Sequence, residues 1–110
     1  MVNIRLANTE DIPTVERLAR EIWPGTYGGI LSQDQLNYML DLIYDKALLR
    51  DQLLNQQHTF LMAELNGEPV GFAVYSTVEP GVCKLHKIYV HQKTQGQGIG
   101  KQLIDYIVNN

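Results

Sequence analysis

One cysteine, Cys83, stands in a chain of 110 residues. A lone thiol excludes an internal disulfide framework and suits a reducing compartment. On a strand it reads as a small buried filler. No apolar run approaches the roughly 20 residues that a membrane-spanning helix needs, so no membrane contact is expected. The opening stretch MVNIRLANTED has neither a basic segment nor an apolar one. No export signal is therefore expected, and a cytoplasmic location is. Basic residues are scarce, 9 Lys and Arg against 12 Asp and Glu, for a net charge of −3. That balance argues against nucleic acid as the main partner. No residues show metal-ligand spacing, so no metal is expected, and no Ser/His/Asp or Cys/His constellation is identifiable. Repeats, low-complexity tracts and linkers are absent too. Residues 1–110 read as one globular domain with a modest core.

The charge is unevenly placed. Residues 1–80 carry eleven acidic and five basic side chains, whereas residues 81–110 set Lys84, Lys87, Lys93 and Lys101 against Asp105 alone. A positive segment suits a phosphorylated ligand, and an acidic remainder suits a cationic one.

The positive segment surrounds the stretch that organises the chain, KLHKIYVHQKTQGQGIGK, residues 84–101. An apolar run with Leu85, Ile88, Tyr89 and Val90 predicts a strand. The glycine-rich turn Gln95-Gly96-Gln97-Gly98-Ile99-Gly100 follows, then an amphipathic helix from Lys101 to Val108. The first N–H groups of such a helix lack internal partners and sit at the positive end of its dipole, which makes an anion site. Glycine leaves no Cβ between the backbone and a ligand's oxygens. A P-loop would need Ser or Thr after Gly100-Lys101, where Gln102 stands. A dinucleotide fingerprint counted from Gly98 and Gly100 would need glycine at Leu103. Both readings fail.

Upstream, alternation over Val2–Ala7 predicts a first strand. Asn8 or Thr9 can cap a helix whose apolar face is Ile12, Val15, Leu18, Ala19 and Ile22, with Trp23-Pro24-Gly25 expected to stop it. Ser32-Gln33-Asp34-Gln35 is a capping-box pattern ahead of Leu36, Met39, Leu40 and Ile43. Asp45 can cap another turn or two. From His58 the period changes to two: Thr59–Leu65 and Val70–Val78 flank Asn66-Gly67, a strong hairpin signal, and Pro80-Gly81 turns into Val82–Val90.

The pattern Q-x-x-G-x-G at Gln95, Gly98 and Gly100, preceded by LHKIYV and followed by KQLID, resembles the acetyl-CoA-binding motif of the GNAT superfamily of N-acetyltransferases. Trp23–Tyr27, ILSQDQLNYML and PVGFAVY are similar to one bacterial branch of it, so the resemblance covers essentially the whole chain. It implies a mixed α/β fold of three layers, α/β/α, with a mostly antiparallel sheet. Family members continue past this helix with another strand, a further helix and a closing pair of strands. The implied fold is thus incomplete at the C-terminus, and Val82–Val90 is left as an unpaired edge.

The implied activity is transfer of an acetyl group from acetyl-CoA to a primary amine of a small molecule or peptide. Gln95, Gly96, Gln97, Gly98, Ile99, Gly100 and Lys101 would hold the pyrophosphate, with Ile88, Tyr89 and Val90 beside the pantetheine. Lys93 and Lys101 could add charge near the phosphates. The amine must lose a proton before it attacks, so a general base is needed. Candidates on the central strands are His86, Glu64 and Tyr75; His86 is mostly neutral at pH 7 if unperturbed. His58 and His91, at strand ends, read as solvated. Trp23 and Tyr27 fall where the family builds its acceptor lid. The alternative is a non-catalytic or split acyl-CoA-binding fragment that pairs with another chain. In either case the open sheet edge predicts a homodimer.

Overall fold

The computed structural model describes residues 2–55, 57–94 and 96–109. Strand β1 (Val2–Leu6) leads through a 3-10 turn (Thr9–Asp11) into helices α1 (Ile12–Tyr27), α2 (Gln33–Ile43) and α3 (Lys46–Leu54). Strands β2 (Thr59–Leu65), β3 (Glu68–Glu79) and β4 (Val82–Val90) follow, then a second 3-10 turn (Gln92–Thr94) and helix α4 (Ile99–Asn109).

Local signals set these boundaries. The Asn8 side chain accepts from the Glu10 N–H at 2.9 Å, and Asp11 reaches back to the Asn8 N–H at 2.9 Å. Ser32 and Gln35 close a reciprocal box at the start of α2, with bonds of 3.2 and 2.9 Å. Asp45 caps α3 through the Leu48 N–H at 3.0 Å. Each such cap is worth about 1 kcal/mol. Asn66 and Gly67 both take positive φ, 54° and 85°, as the tight hairpin turn between β2 and β3 requires.

The strands form one antiparallel sheet in the order β1-β2-β3-β4. Because successive side chains alternate, the sheet is apolar on both faces. Phe60, Met62, Phe72 and Val74 meet Val15, Leu18, Ile22, Trp23, Leu36, Leu40 and Leu49 from α1, α2 and α3. On the opposite face Leu61, Ala63, Ala73 and Tyr75 meet Ile99 and Leu103 from α4. The result is the three-layer α/β/α arrangement with an antiparallel sheet. Among the described residues no helix is long and apolar enough to cross a membrane.

Two expectations are corrected. Helix α1 does not stop at Trp23-Pro24-Gly25 but continues to Tyr27. Pro24 forfeits one ladder bond, yet the extra turn places Trp23 in the core at 5% exposure and packs Tyr27 against it. Packing the half-buried Tyr27 ring on the buried Trp23 ring, 4.8 Å between centroids, helps to offset the roughly 3 kcal/mol penalty of an interior proline. Gly25 also has a use within the helix. The Gln92 side-chain amide lies where a Cβ would stand and donates to the Ile22 carbonyl at 2.9 Å. The second correction is Cys83, which is exposed rather than buried. It lies in the first half of β4, where residues 82–85 are all exposed at the edge of the sheet.

Candidate functional site

Strand β4 and helix α4 together build the site. Thr94 locks the chain after the strand: its N–H and hydroxyl both bond the His91 carbonyl, at 3.0 and 2.9 Å, and it is buried. Gly96 and Gly98 then take φ of 90° and 73°, in the left-handed region that favours glycine. A Cβ built on either meets no protein atom within 4 Å, so the space before them is open. Gly96, Gln97 and Gly98 are exposed, whereas Ile99 is buried and anchors the start of α4 on the sheet. The ladder of α4 begins with the Gln102 N–H on the Gly98 carbonyl at 3.0 Å. The amides of Ile99, Gly100 and Lys101 precede it and face out of the helix end. Gln95 lies outside the described residues. The two lysines nearby are engaged on the surface, Lys93 with Glu68 at 2.6 Å and Lys101 with Asp105 at 2.9 Å.

Strand β4 pairs on one side only among the described residues. The His91 N–H bonds the Val70 carbonyl at 2.8 Å, and the register sets Phe72 opposite Tyr89. Antiparallel alternation makes Phe72/Tyr89 a hydrogen-bonded pair as well. The backbone groups of Ile88 and Val90 consequently point to the open side, and those of Tyr89 point to β3. Side chains divide the other way. Ile88 and Val90 pack toward α4, and Tyr89 packs into the α1 face.

The α1 face beside Tyr89 carries a cluster of aromatic rings. Trp23 lies 4.8 Å from Tyr27, 5.7 Å from Tyr44 and 5.9 Å from Tyr89, centroid to centroid. Phe72 closes the group at 6.0 Å from Tyr44 and 5.8 Å from Tyr89. The Tyr27 and Tyr89 hydroxyls share a hydrogen bond of 2.9 Å. Burial pushes the ionisation of Tyr44 and of Tyr89 well above the ordinary phenol range, so both stay neutral. The Lys87 ammonium sits 5.7 Å from the Tyr44 ring centroid, and burial lowers its pKa. A cation at this distance is attracted by the ring face.

The three candidate bases fall in three different settings. His86 lies where the β3–β4 register shifts: Val74 faces Lys87, and Tyr75 faces Leu85. Its Nε2 is 2.8 Å from the Ser76 hydroxyl. Desolvation, then His58, Lys84 and Lys87, lower its pKa, so it is more fully neutral at pH 7 than a free histidine. Tyr75 is buried in the core beneath α4. Glu64 is held by Arg5, whose Nε lies 3.3 Å from Oε1, and Arg5 also clamps Asp11 with two bonds of 2.8 and 2.9 Å. Among the described residues no group of three or more His, Cys, Asp or Glu is placed to hold a metal ion.

Sequence reasoning missed His58 and Ser76. His58 is not a solvated strand end: its ring stacks on His86 with centroids 4.2 Å apart and planes 15° from parallel. His91 likewise has a neighbour, with Nε2 3.4 Å from Glu21. The bulge that turns His86 onto these partners leaves no mark in the apolar pattern of β4. A polar residue ten positions upstream on the paired strand was the one available signal.

The model of the acetyltransferase (GNAT) family matches residues 13–109. A curated relative, the spermidine N(1)-acetyltransferase of Thermoplasma acidophilum, is 27% identical over 107 residues, covering 94% of this chain and 66% of that protein. An uncharacterised N-acetyltransferase from Lactobacillus delbrueckii subsp. lactis is 23% identical over 112 residues, covering 96% of this chain and 65% of that protein. The chain thus spans just under two thirds of the length of these relatives. Among solved structures, the PaiA N-acetyltransferase of Thermoplasma acidophilum in complex with coenzyme A superposes with a TM-score of 0.87 at 26% identity, over 99% of this chain and 72% of that one. A ribosomal-protein-alanine N-acetyltransferase from Brucella melitensis shares the fold with a TM-score of 0.69 at 24% identity, over 99% and 70% of the two chains.

Proposed function

We propose, from the premise that this chain belongs to the GNAT acetyltransferase family, that its 110 residues form one N-acetyltransferase domain. It uses acetyl-CoA to acetylate a primary amine of a small molecule, with a polyamine as the first acceptor to test. The observation that carries the reading is the junction of β4 and α4. Two glycines at positive φ with open space before them lead into a helix whose first amides face outward. That cradle fits a diphosphate, which needs several donors and no Cβ in the way. Support for a polyamine comes from the acidic first 80 residues and from the printed activity of the 27% identical relative.

Acetyl-CoA supplies the acyl thioester, whose C–S bond breaks as the acceptor's C–N bond forms, and coenzyme A leaves as a thiolate that takes up the second proton of the acceptor nitrogen. Gly96–Lys101 donate backbone N–H groups to the diphosphate. Ile88 and Val90 offer outward N–H and C=O groups along the open side of β4, and an N–H aimed at the developing oxyanion is worth about 3–4 kcal/mol. His86 takes the proton from the acceptor ammonium, directly or through a water, and exposes the lone pair that attacks. Trp23 and Tyr27 act on the acceptor side through the aromatic cluster that flanks β4.

The test is a titration with coenzyme A, followed by thiol release from acetyl-CoA with spermidine, spermine and an amino-acid α-amine. Ligand at 100 times Kd should add about 2.7 kcal/mol of stability. No thermal shift with coenzyme A would remove the site. Binding without thiol release favours a second reading, a non-catalytic or split acyl-CoA-binding fragment that pairs through β4. Its support is that β4 pairs on one side only among the described residues, and that Val82, Leu85 and Ile104 are exposed. Size-exclusion mass separates a lone chain from a homodimer.

A further inference from the structure

We infer that His58 and Ser76 are positioning residues for His86, fixing its ring plane and its tautomer so that Nδ1 is the proton-accepting atom. The functional consequence rests on the reading of His86 as the general base. Three observations converge on it. The register shift between Val74 and Tyr75 takes His86 out of simple alternation and brings its Nε2 to 2.8 Å from the Ser76 hydroxyl. The His58 ring lies flat on it at 4.2 Å. His58 is itself held, its N–H bonding the Gln52 carbonyl near the end of α3 at 3.0 Å.

The chemistry follows from the contacts. One imidazole nitrogen carries the proton and the other the lone pair, and the partner of one settles the role of the other. The Ser76 hydroxyl can donate to Nε2 or accept from it, and we take the second: with Nε2 protonated, the lone pair sits on Nδ1. A second imidazole stacked on the ring resists a charge on the first, since two imidazolium rings at this distance repel. Lys84 and Lys87 on β4 act in the same direction on both rings. Each ring's pKa is lowered, with desolvation the first cause in both. The groups facing His86 are therefore His58 ahead of β2, Ser76 on β3, and Lys84 and Lys87 on its own strand.

Long-range proton–nitrogen correlation spectra between pH 4 and 9 read both the tautomer and the titration midpoint of each histidine. In the unaltered protein His86 should appear as the Nε2-protonated form, with a midpoint below 6.5. His58→Phe keeps a flat ring but removes its charge, and should raise the His86 midpoint. His58→Gln is the second variant should phenylalanine disturb folding. Ser76→Ala should give a mixture of tautomers at the same midpoint to within a few tenths of a unit. An unchanged midpoint in both His58 variants, with an unchanged tautomer in Ser76→Ala, overturns the inference. The acidic limb of kcat/KM against pH distinguishes the two layers. If it follows the His86 midpoint in the His58 variants, both the positioning and the base assignment hold. If the spectra move and the limb does not, the positioning stands and His86 is not the base.

Discussion

Replacing Gly98 by Asn and by Asp separates backbone strain from charge at the glycine turn. Both residues must adopt φ near 73°, which costs about 1 kcal/mol for a side chain that tolerates the left-handed region best. A Cβ there meets open space, so steric penalty inside the protein is nil. The two variants differ only in one negative charge at the N-terminus of α4. Toward folding that charge is favourable by about 0.3–1 kcal/mol, because it faces the positive end of the helix dipole. Toward a bound diphosphate it is unfavourable. A carboxylate about 5 Å from a phosphate charge, at an effective dielectric of about 20–40, opposes it by about 2–3 kcal/mol. The expected signature is therefore a crossing of signs. Gly98→Asp should melt at or slightly above Gly98→Asn, yet bind coenzyme A about 30- to 150-fold more weakly. Calorimetric titration and thermal melts in the same low-salt buffer measure both. Equal affinity in the two variants would refute the placement of the diphosphate at this turn.

Other substitutions test the scaffold. Phe72→Ala removes a fully buried ring between Tyr44 and Tyr89 and should cost about 3–5 kcal/mol in a urea melt; a loss below 1 kcal/mol would mean the aromatic cluster is not packed as described. In Gly71→Ala the new Cβ would stand 2.9 Å from the Tyr89 carbonyl and 3.4 Å from the Val90 Cα, backbone atoms that cannot swing aside. It should lose about 1–3 kcal/mol and weaken coenzyme A binding by displacing the end of β4; unaltered affinity would detach that end from the site. Arg5→Met breaks the clamp on Asp11, whose carboxyl Arg5 holds below the ordinary carboxylate range. That stabilisation is present above the unfolded pKa and is lost as pH falls through the lowered folded value. The variant should be about 1 kcal/mol less stable at pH 7, and its deficit should shrink by pH 2. A deficit equal at both pH values would contradict the linkage.

The strands were legible because their signals are local. Alternation and the Asn66-Gly67 and Pro80-Gly81 turns mark Thr59–Leu65 and Val82–Val90 with the bounds the structure gives, and Ser32, Gln35 and Asp45 cap helices where their types suggest. The end of α1 was not legible. Whether a helix survives Pro24 depends on what the next turn packs against, and Tyr89, which both Trp23 and Tyr27 meet, lies on a strand more than sixty residues away. Cys83 failed for a related reason: a strand pattern does not say which part of a strand the helices cover, and Cys83 pairs with Thr77 in the exposed end of the β3–β4 hairpin. At the site, the glycine turn announces itself through residue type. The surroundings of His86 depend on a bulge and on the approach of His58, and neither has a sequence period.

Among the described residues β4 lies at an edge of the sheet, which leaves its two backbone margins with different partners. An interior strand spends the hydrogen-bonding groups of both margins on its neighbours, so it has only side chains left for a ligand. β4 pairs with β3 alone among the described residues, and alternation turns the amides and carbonyls of Ile88 and Val90 outward while their side chains remain packed toward α4. Tyr89 does the reverse, bonding inward and lending its ring to the aromatic cluster on the α1 face. Those outward groups are also a template for another strand, which is why bare edges are hazardous. An extended ligand running along β4 and a second chain adding to it would need the same amides. The transferase reading and the strand-pairing reading therefore compete for one margin of the sheet, whereas the glycine turn at the start of α4 belongs to the first alone.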